Sequence, residues 1–237
     1  LGKNKLKRWT EIDSYRHVFQ PDFKEVFKKD FFLKGRWNDH FFKNPNPIIL
    51  ELGCGRGEYT TGLARMYPDR NFIGVDIKGA RLWKGAYDAE HENLSNVAFI
   101  RSEIEVITSF FAHNEVAEIW ITFPDPQLKQ KRIKKRLTAP LFLNAYQTFL
   151  QADGVIHLKT DSQELYRFTN DLIKYNNLET IESINDIYSQ PDIAEPLNIR
   201  THYEQIYIDR GLKITYTSFR LAPNRKVKAK IDADEKS

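Results

Sequence analysis

Glu51-Leu52-Gly53-Cys54-Gly55-Arg56-Gly57-Glu58 follows directly on the apolar run Pro47-Ile48-Ile49-Leu50. A short buried strand therefore runs into a glycine-rich turn, and the residues from Glu58 onward read as a helix. Nineteen residues past Gly57 a second apolar run ends in an acid, Phe72-Ile73-Gly74-Val75-Asp76. Glycines let the backbone approach a ligand closely, and an acid at the end of the next strand can accept bonds from ribose hydroxyls. The pairing predicts a nucleoside cofactor bound at the edge of an α/β sheet.

The spacing narrows the ligand. A dinucleotide fold uses G-x-G-x-x-G, which seats pyrophosphate on a helix N-terminus. Here the third glycine, Gly57, comes one position early and Glu58 stands where the last glycine would be. A carboxylate there would repel a pyrophosphate, and Glu51 adds a second acid ahead of the loop. S-adenosylmethionine has no phosphate and carries a sulfonium and an ammonium, so an acid-flanked G-x-G-x-G suits it. The same residues could form an ordinary strand-to-helix turn with no ligand; the matching acid at Asp76 favours the cofactor.

The rest of the chain bounds the setting. Its 237 residues fit one α/β domain with appended arms, and 41% hydrophobic residues allow a real core. The single cysteine, Cys54, leaves no intrachain disulfide and fits a reducing compartment. It reads as a small residue filling a tight turn. No apolar stretch approaches the ~20 residues of a transmembrane helix, and the basic N-terminal stretch lacks the apolar segment of a secretory signal. Cytoplasm is the expected location. No His/Cys cluster has metal-ligand spacing, so no metal is expected. His157 falls inside a strand pattern and reads as core.

Charge is uneven although the net is only +4. From Lys129 to Arg136 six of eight residues are basic: Lys129, Lys131, Arg132, Lys134, Lys135 and Arg136. Residues 1–43 hold eleven basic residues against six acids, with Trp9, Tyr15, Phe19, Phe23, Phe27, Phe31, Phe32, Trp37, Phe41 and Phe42 among them. Clustered basic charge points to a polyanion, here a nucleic acid, although such a run can also be a solvated face. The segment 1–43 reads as a partly helical arm whose aromatics pack on the main domain or stack on bases.

From residue 44 the pattern alternates. Strands are predicted at 48–52, 71–76, 97–101, 118–123, 154–159 and 213–221, and helices at 58–66, 79–93, 103–111, 140–151 and 162–175. Such alternation predicts a parallel sheet with right-handed crossovers. Residues 176–212 are irregular, and 224–237 read as a flexible tail. In an open α/β sheet, ligands bind outside the carboxyl ends of the strands. That edge gathers Glu51, the glycines, Asp76, Glu103, Phe123-Pro124-Asp125-Pro126 and Thr160-Asp161, with the basic run leading away from it.

Phe123-Pro124-Asp125-Pro126 followed by the basic run resembles the bacterial tRNA (guanine-N7)-methyltransferases. Lys159-Thr160-Asp161 and Thr201-His202-Tyr203-Glu204 match two further motifs of that family, and the resemblance runs from about Ile48 to Leu221. It implies a class I S-adenosylmethionine-dependent methyltransferase fold, Rossmann-like, with a mostly parallel seven-stranded sheet and helices on both faces. It implies methyl transfer to N7 of a guanine in the tRNA variable loop. By resemblance, Glu51, Gly53, Gly55, Gly57, Asp76, Glu103 and Asp125 bind the cofactor or border the transfer site, and Asp125 is the catalytic candidate. Lys129, Asp161, Thr201 and Glu204 fall at substrate positions, and Lys131, Arg132, Lys134, Lys135 and Arg136 are expected on the RNA backbone. Three positions depart from the family: Gln127 replaces a tryptophan, Asp76 a glutamate, and Glu103 an aspartate or asparagine.

The chemistry is consistent with these residues. Guanine N7 has an exposed lone pair at neutral pH, so no strong general base is required. Alignment of N7 with the methyl carbon and sulfur supplies most of the rate. A carboxylate at Asp125 could orient guanine and offset the positive charge of the product; an Asp between two prolines also makes a rigid turn. Asp161 with Glu164 and Thr201 with Glu204 both read as helix caps as well as substrate contacts. Two rivals stay open: a methyltransferase of another substrate, and a non-catalytic RNA-binding protein on this fold.

Overall fold

A computed structural model describes residue 8 and residues 10–229; Trp9 and most of the expected tail lie outside them. The strands are β1 (Val18–Phe19), β2 (Ile48–Leu52), β3 (Asn71–Asp76), β4 (Val97–Arg101), β5 (Val116–Thr122), β6 (Leu150–Thr160), β7 (Glu179–Ile184) and β8 (Thr215–Arg220). The α-helices are α1 (Phe23–Val26), α2 (Glu58–Met66), α3 (Gly79–His91), α4 (Pro140–Tyr146), α5 (Gln163–Tyr175) and α6 (His202–Asp209). One sheet runs in the order β1-β4-β3-β2-β5-β6-β8-β7. Pairing is parallel from β1 to β6, and β8 lies antiparallel between β6 and β7.

β2 is buried along its whole length, as a central strand covered on both faces must be. One core cluster joins residues 26–42, α4 and α5 to one face; the other joins α2, α3 and the segment around Ile187 and Leu197 to the opposite face. Helices therefore cover both faces, as expected.

The eighth strand comes from the segment expected to be an arm. Val18 and Phe19 pair with Phe99 and Ile100 at the sheet edge. Trp37 is fully buried and its indole N–H donates to Phe110 O at 2.9 Å. Phe19 meets Trp37 edge-on at 5.3 Å, and Phe31, Phe42 and Phe111 complete the cluster. Burying a side chain of this size contributes roughly 2–3 kcal/mol, so these aromatics are core and not base platforms. Phe23, Phe27 and Phe32 remain exposed.

Other differences have local causes. The helix expected over 140–151 stops at Tyr146, because Leu150 already pairs with Val116 and lengthens β6 to eleven residues. The helix expected over 103–111 is a 3-10 run, Ile104–Ser109, broken at Val106. The irregular region 176–212 contains β7 and α6. Five of the six β7 residues are exposed, so no burial alternation marks this edge strand. Part of the expected tail is also fixed: Val227 is buried and exchanges two hydrogen bonds with Asn144.

Candidate active site

The chain leaves β2 through α2 to reach β3 on one side, while β5 flanks β2 on the other. This reversal opens a crevice at the carboxyl ends of the strands. A cavity of about 320 Å³ fills it, bordered by the glycine loop, Asp76, the Phe123–Gln127 turn and Thr201.

The loop is shaped by its glycines. Gly53, Gly55 and Gly57 have φ of +76°, +56° and +69°, a region that side chains other than glycine occupy at a cost. Gly57 is further constrained, because a Cβ there would lie 2.7 Å from the Phe99 ring and 3.0 Å from Gly85 Cα. Asp76 locks the loop from the next strand. Its carboxylate accepts from Gly55 N at 2.9 Å and from Lys78 N at 2.7 Å.

Glu51 lies beneath the loop and is 2% exposed. Its carboxylate accepts from Thr122 Oγ1 at 2.5 Å and from Thr60 Oγ1. Burial pushes its pKa up to about 7; the two threonines oppose the rise and Asp76 adds to it. The cavity floor is thus an acid poised between its two forms, and a bound cation would favour the carboxylate. Burial also raises the Cys54 thiol well above its ordinary value, which suits a packing residue and not a nucleophile.

The opposite wall is the Phe123-Pro124-Asp125-Pro126 turn. Phe123 adopts φ +48°, unusual for an aromatic residue and of a kind that gathers at functional sites. Its amide donates to Lys159 O at 2.8 Å. Asp125 is exposed, and its Oδ1 accepts from Gln127 N at 3.0 Å. Gln127 also has φ +47°, and its buried Oε1 has no hydrogen-bond partner in the protein. The turn therefore presents the Asp125 carboxylate at the cavity.

The third wall is a strap from Ile187 to Glu204. Tyr59 OH donates to Pro196 O at 3.0 Å, and His202 N donates to Glu58 Oε2 at 2.8 Å. Glu58 thus ends up bonding the strap from the first turn of α2, which is where a pyrophosphate would have to sit. Thr201 caps α6 by accepting from Glu204 N at 3.2 Å. Glu204 itself is fully buried, its carboxylate 2.7 Å from Lys159 Nζ. It lines no surface that a substrate could reach, which corrects its expected position at the substrate.

The other expected residues divide sharply. Glu103 is exposed at the end of β4, next to Ile104 on the cavity wall. Asp161 is half-buried at the end of β6, and burial raises its pKa. It does not cap α5; Ser162 does, accepting from Leu165 N at 3.2 Å. Lys129, Lys131, Arg132, Lys134 and Lys135 are exposed along a 3-10 turn, Gln130–Lys135, and Lys135 reaches the cavity. Arg136 differs from them at 2% exposure: it pairs with Glu164, donates to Pro126 O at 2.9 Å and lies over the Phe168 ring. Its guanidinium braces the turn from inside and is turned away from solvent, unlike its expected place on the exposed basic run. Sequence reading missed Thr60, Thr122 and Lys159, whose partners are 9, 71 and 45 residues away. Among the described residues no group of acids, histidines or cysteines could hold a metal, and no helix is long and apolar enough to cross a membrane.

Comparison with known proteins adds the family. A family model described as "Putative methyltransferase" matches residues 45–217. The chain is 50% identical over 93% of its length to the tRNA (guanine-N(7)-)-methyltransferase of Bacteroides fragilis, covering 87% of that protein. It is 51% identical to the one from Christiangramia forsetii, covering 93% of this chain and 99% of the relative. Among solved structures, the 16S rRNA methyltransferase KamB superposes with a TM-score of 0.59 at 11% identity, over 78% of this chain and 92% of that one. A 16S rRNA (adenine(1408)-N(1))-methyltransferase determined with its cosubstrate SAM gives 0.56 at 13% identity, over 81% and 92%. At such identities the likeness shows the fold, a class I methyltransferase.

Proposed function

The chain belongs to the bacterial tRNA (guanine-N7)-methyltransferase family, and we propose that it transfers a methyl group from S-adenosylmethionine to N7 of a guanine in the variable loop of tRNA. The observation that carries this reading is one crevice bordered by the acid-flanked glycine loop, the Asp125 turn and Lys135, the last residue of the exposed basic 3-10 turn. The acids fit this cofactor chemically: buried Glu51 suits a cationic group, and Glu58 disfavours a phosphate. S-adenosylmethionine supplies an electrophilic methyl carbon to N7.

The protein's own part is positioning. Asp76 holds the glycine loop and keeps lone pairs for ribose hydroxyls. Glu51 meets the amino-acid end, and Glu103 accepts from the adenine amino group. Asp125, preset by its turn, orients the guanine through its N–H groups and offsets the positive charge that develops on the base. Lys129, Asp161 and Thr201 hold the nucleotide, while Lys131, Arg132, Lys134 and Lys135 hold phosphates. Soluble tRNA as substrate fits a cytoplasmic setting.

The test is direct. The protein is incubated with methyl-labelled S-adenosylmethionine and unmodified tRNA, and the labelled nucleoside is identified and mapped. Label in 7-methylguanosine of the variable loop, lost in Asp125→Ala with cofactor affinity retained, supports the proposal. Label in another nucleoside or another loop overturns the substrate assignment.

A further inference from the structure

Lys159 is the one lysine among the described residues with no exposed surface, and the chemistry proposed above does not use it. It stands near the end of β6, with Nζ 5.3 Å from the Tyr59 ring centre and 5.9 Å from that of Phe123. An ammonium has three N–H donors. Here they meet Leu197 O at 2.8 Å, Ile199 O at 3.0 Å and the Glu204 carboxylate at 2.7–2.9 Å. Glu204 is equally satisfied, accepting from Tyr188 OH at 2.9 Å and from Thr201 N at 3.3 Å. Burial lowers the Lys159 pKa while Glu204 opposes the fall.

Each bond of the network ends on the strap or on the Asp125 turn. Leu197, Ile199, Thr201 and Tyr188 belong to the strap, and the Lys159 carbonyl accepts from Phe123 N, which begins the turn. Lys159 thus joins the two walls of the substrate side: its ammonium is bonded to the strap and lies over the Phe123 ring, and its backbone carbonyl holds the start of the turn. The cofactor side meets this network only at the Tyr59 ring, and its glycine loop is held separately by Asp76. A strap of this length has little regular structure to hold it, so its place depends on such fixed points.

We infer that Lys159 and Glu204 are a positioning pair: they touch neither cofactor nor substrate, and they set the distance between the Thr201 wall and the Asp125 turn into which guanine must fit. The inference rests on the proposed substrate side of the site, but one arm of its test does not. Glu204→Gln keeps shape and most hydrogen bonds; Lys159→Met removes the charge at similar length; the double variant removes both. Hydrogen exchange of residues 187–204 is measured without RNA, together with cofactor affinity and the steady-state constants for tRNA.

In each single variant the strap amides should exchange at least about tenfold faster, with cofactor affinity within about threefold of wild type. The tRNA kcat/KM should fall about tenfold or more, and the double variant should be no worse than the worse single, because one interaction is lost once. Tyr188→Phe, a milder change at the rim of the network, should give a smaller effect of the same kind. If Glu204→Gln impairs tRNA while Lys159→Met does not, Glu204 contacts substrate directly and the inference fails. Unchanged strap exchange, or additive losses in the double variant, also overturns it. Should the wild type methylate no guanine, the exchange result still decides the pairing while the proposed function fails separately.

Discussion

The two halves of the crevice are held by different means. On the cofactor side, Gly53 to Gly57 and Asp76 fix one another through backbone bonds at the ends of neighbouring strands. On the substrate side, the Asp125 turn and the strap are fixed by two buried cations, Arg136 and Lys159, each paired with a distant acid. The first half needs particular backbone angles, and the second needs particular charges in the interior. Damage should therefore look different: sterically abrupt on one side, electrostatic and cooperative on the other.

The largest expected effect tests the steric half. Gly57→Ala must hold a side chain at positive φ and push Phe99 aside, so it should cost about 3 kcal/mol or more. Thermal unfolding should shift sharply and calorimetry should find no cofactor binding. Asp125→Ala comes next. It removes an exposed group that contacts only Gln127 N within the protein, so kcat should fall about 10²–10³-fold with Tm nearly unchanged. A comparable loss of Tm would mean that Asp125 is only a turn residue.

Glu51 gives a pH signature confined to the cofactor half. Its folded pKa, about 7, lies above the ordinary 4.5. The protonated form is therefore favoured by folding. That contribution is whole below about pH 4.5 and is lost as pH rises through about 7, a change on the order of 3 kcal/mol. Chemical denaturation of the free protein should show it, and Glu51→Gln should abolish it. A cationic ligand reverses the preference, so cofactor affinity should increase between about pH 6 and 8 in wild type and stay flat in Glu51→Gln.

The smallest effect separates the cations. Arg132→Ala should leave the unfolding free energy within about 0.5 kcal/mol of wild type and reduce the salt slope of tRNA binding by about 0.7–0.9. Arg136→Ala should do the opposite, lowering Tm with little change in slope, because its charge is spent on Glu164 and Pro126 O. Equal behaviour of the two would mean that Arg136 is not an interior brace of the substrate side.

The same division explains what could be read beforehand. The glycine spacing and Asp76 lie within one strand–helix–strand unit, and the fold class and cofactor side followed from them. The cap at Thr201 was also visible, since Thr201 and Glu204 are three residues apart. The inward turn of Glu204 was not, because it depends on Lys159, 45 residues earlier in another strand. Arg136 looked like its neighbours, since a charge run does not show which member faces inward. The aromatic segment 19–42 had no helical period because Phe19, Phe31, Phe41 and Phe42 pack around the Trp37 indole while Phe23 and Phe27 stack on each other at the surface. Deleting it would remove core, so it cannot serve as a probe of tRNA affinity.

That segment has a consequence during synthesis. Val18 pairs with Phe99, and the Trp37 indole bonds to Phe110 O, so the earliest aromatics find their places only after more than seventy further residues have been made. At about 5–20 residues per second, the nascent chain carries this greasy stretch unshielded for several seconds or longer. Its interspersed lysines then act as solubilising gatekeepers, keeping an unfinished chain from sticking to its neighbours before β4 arrives to receive it.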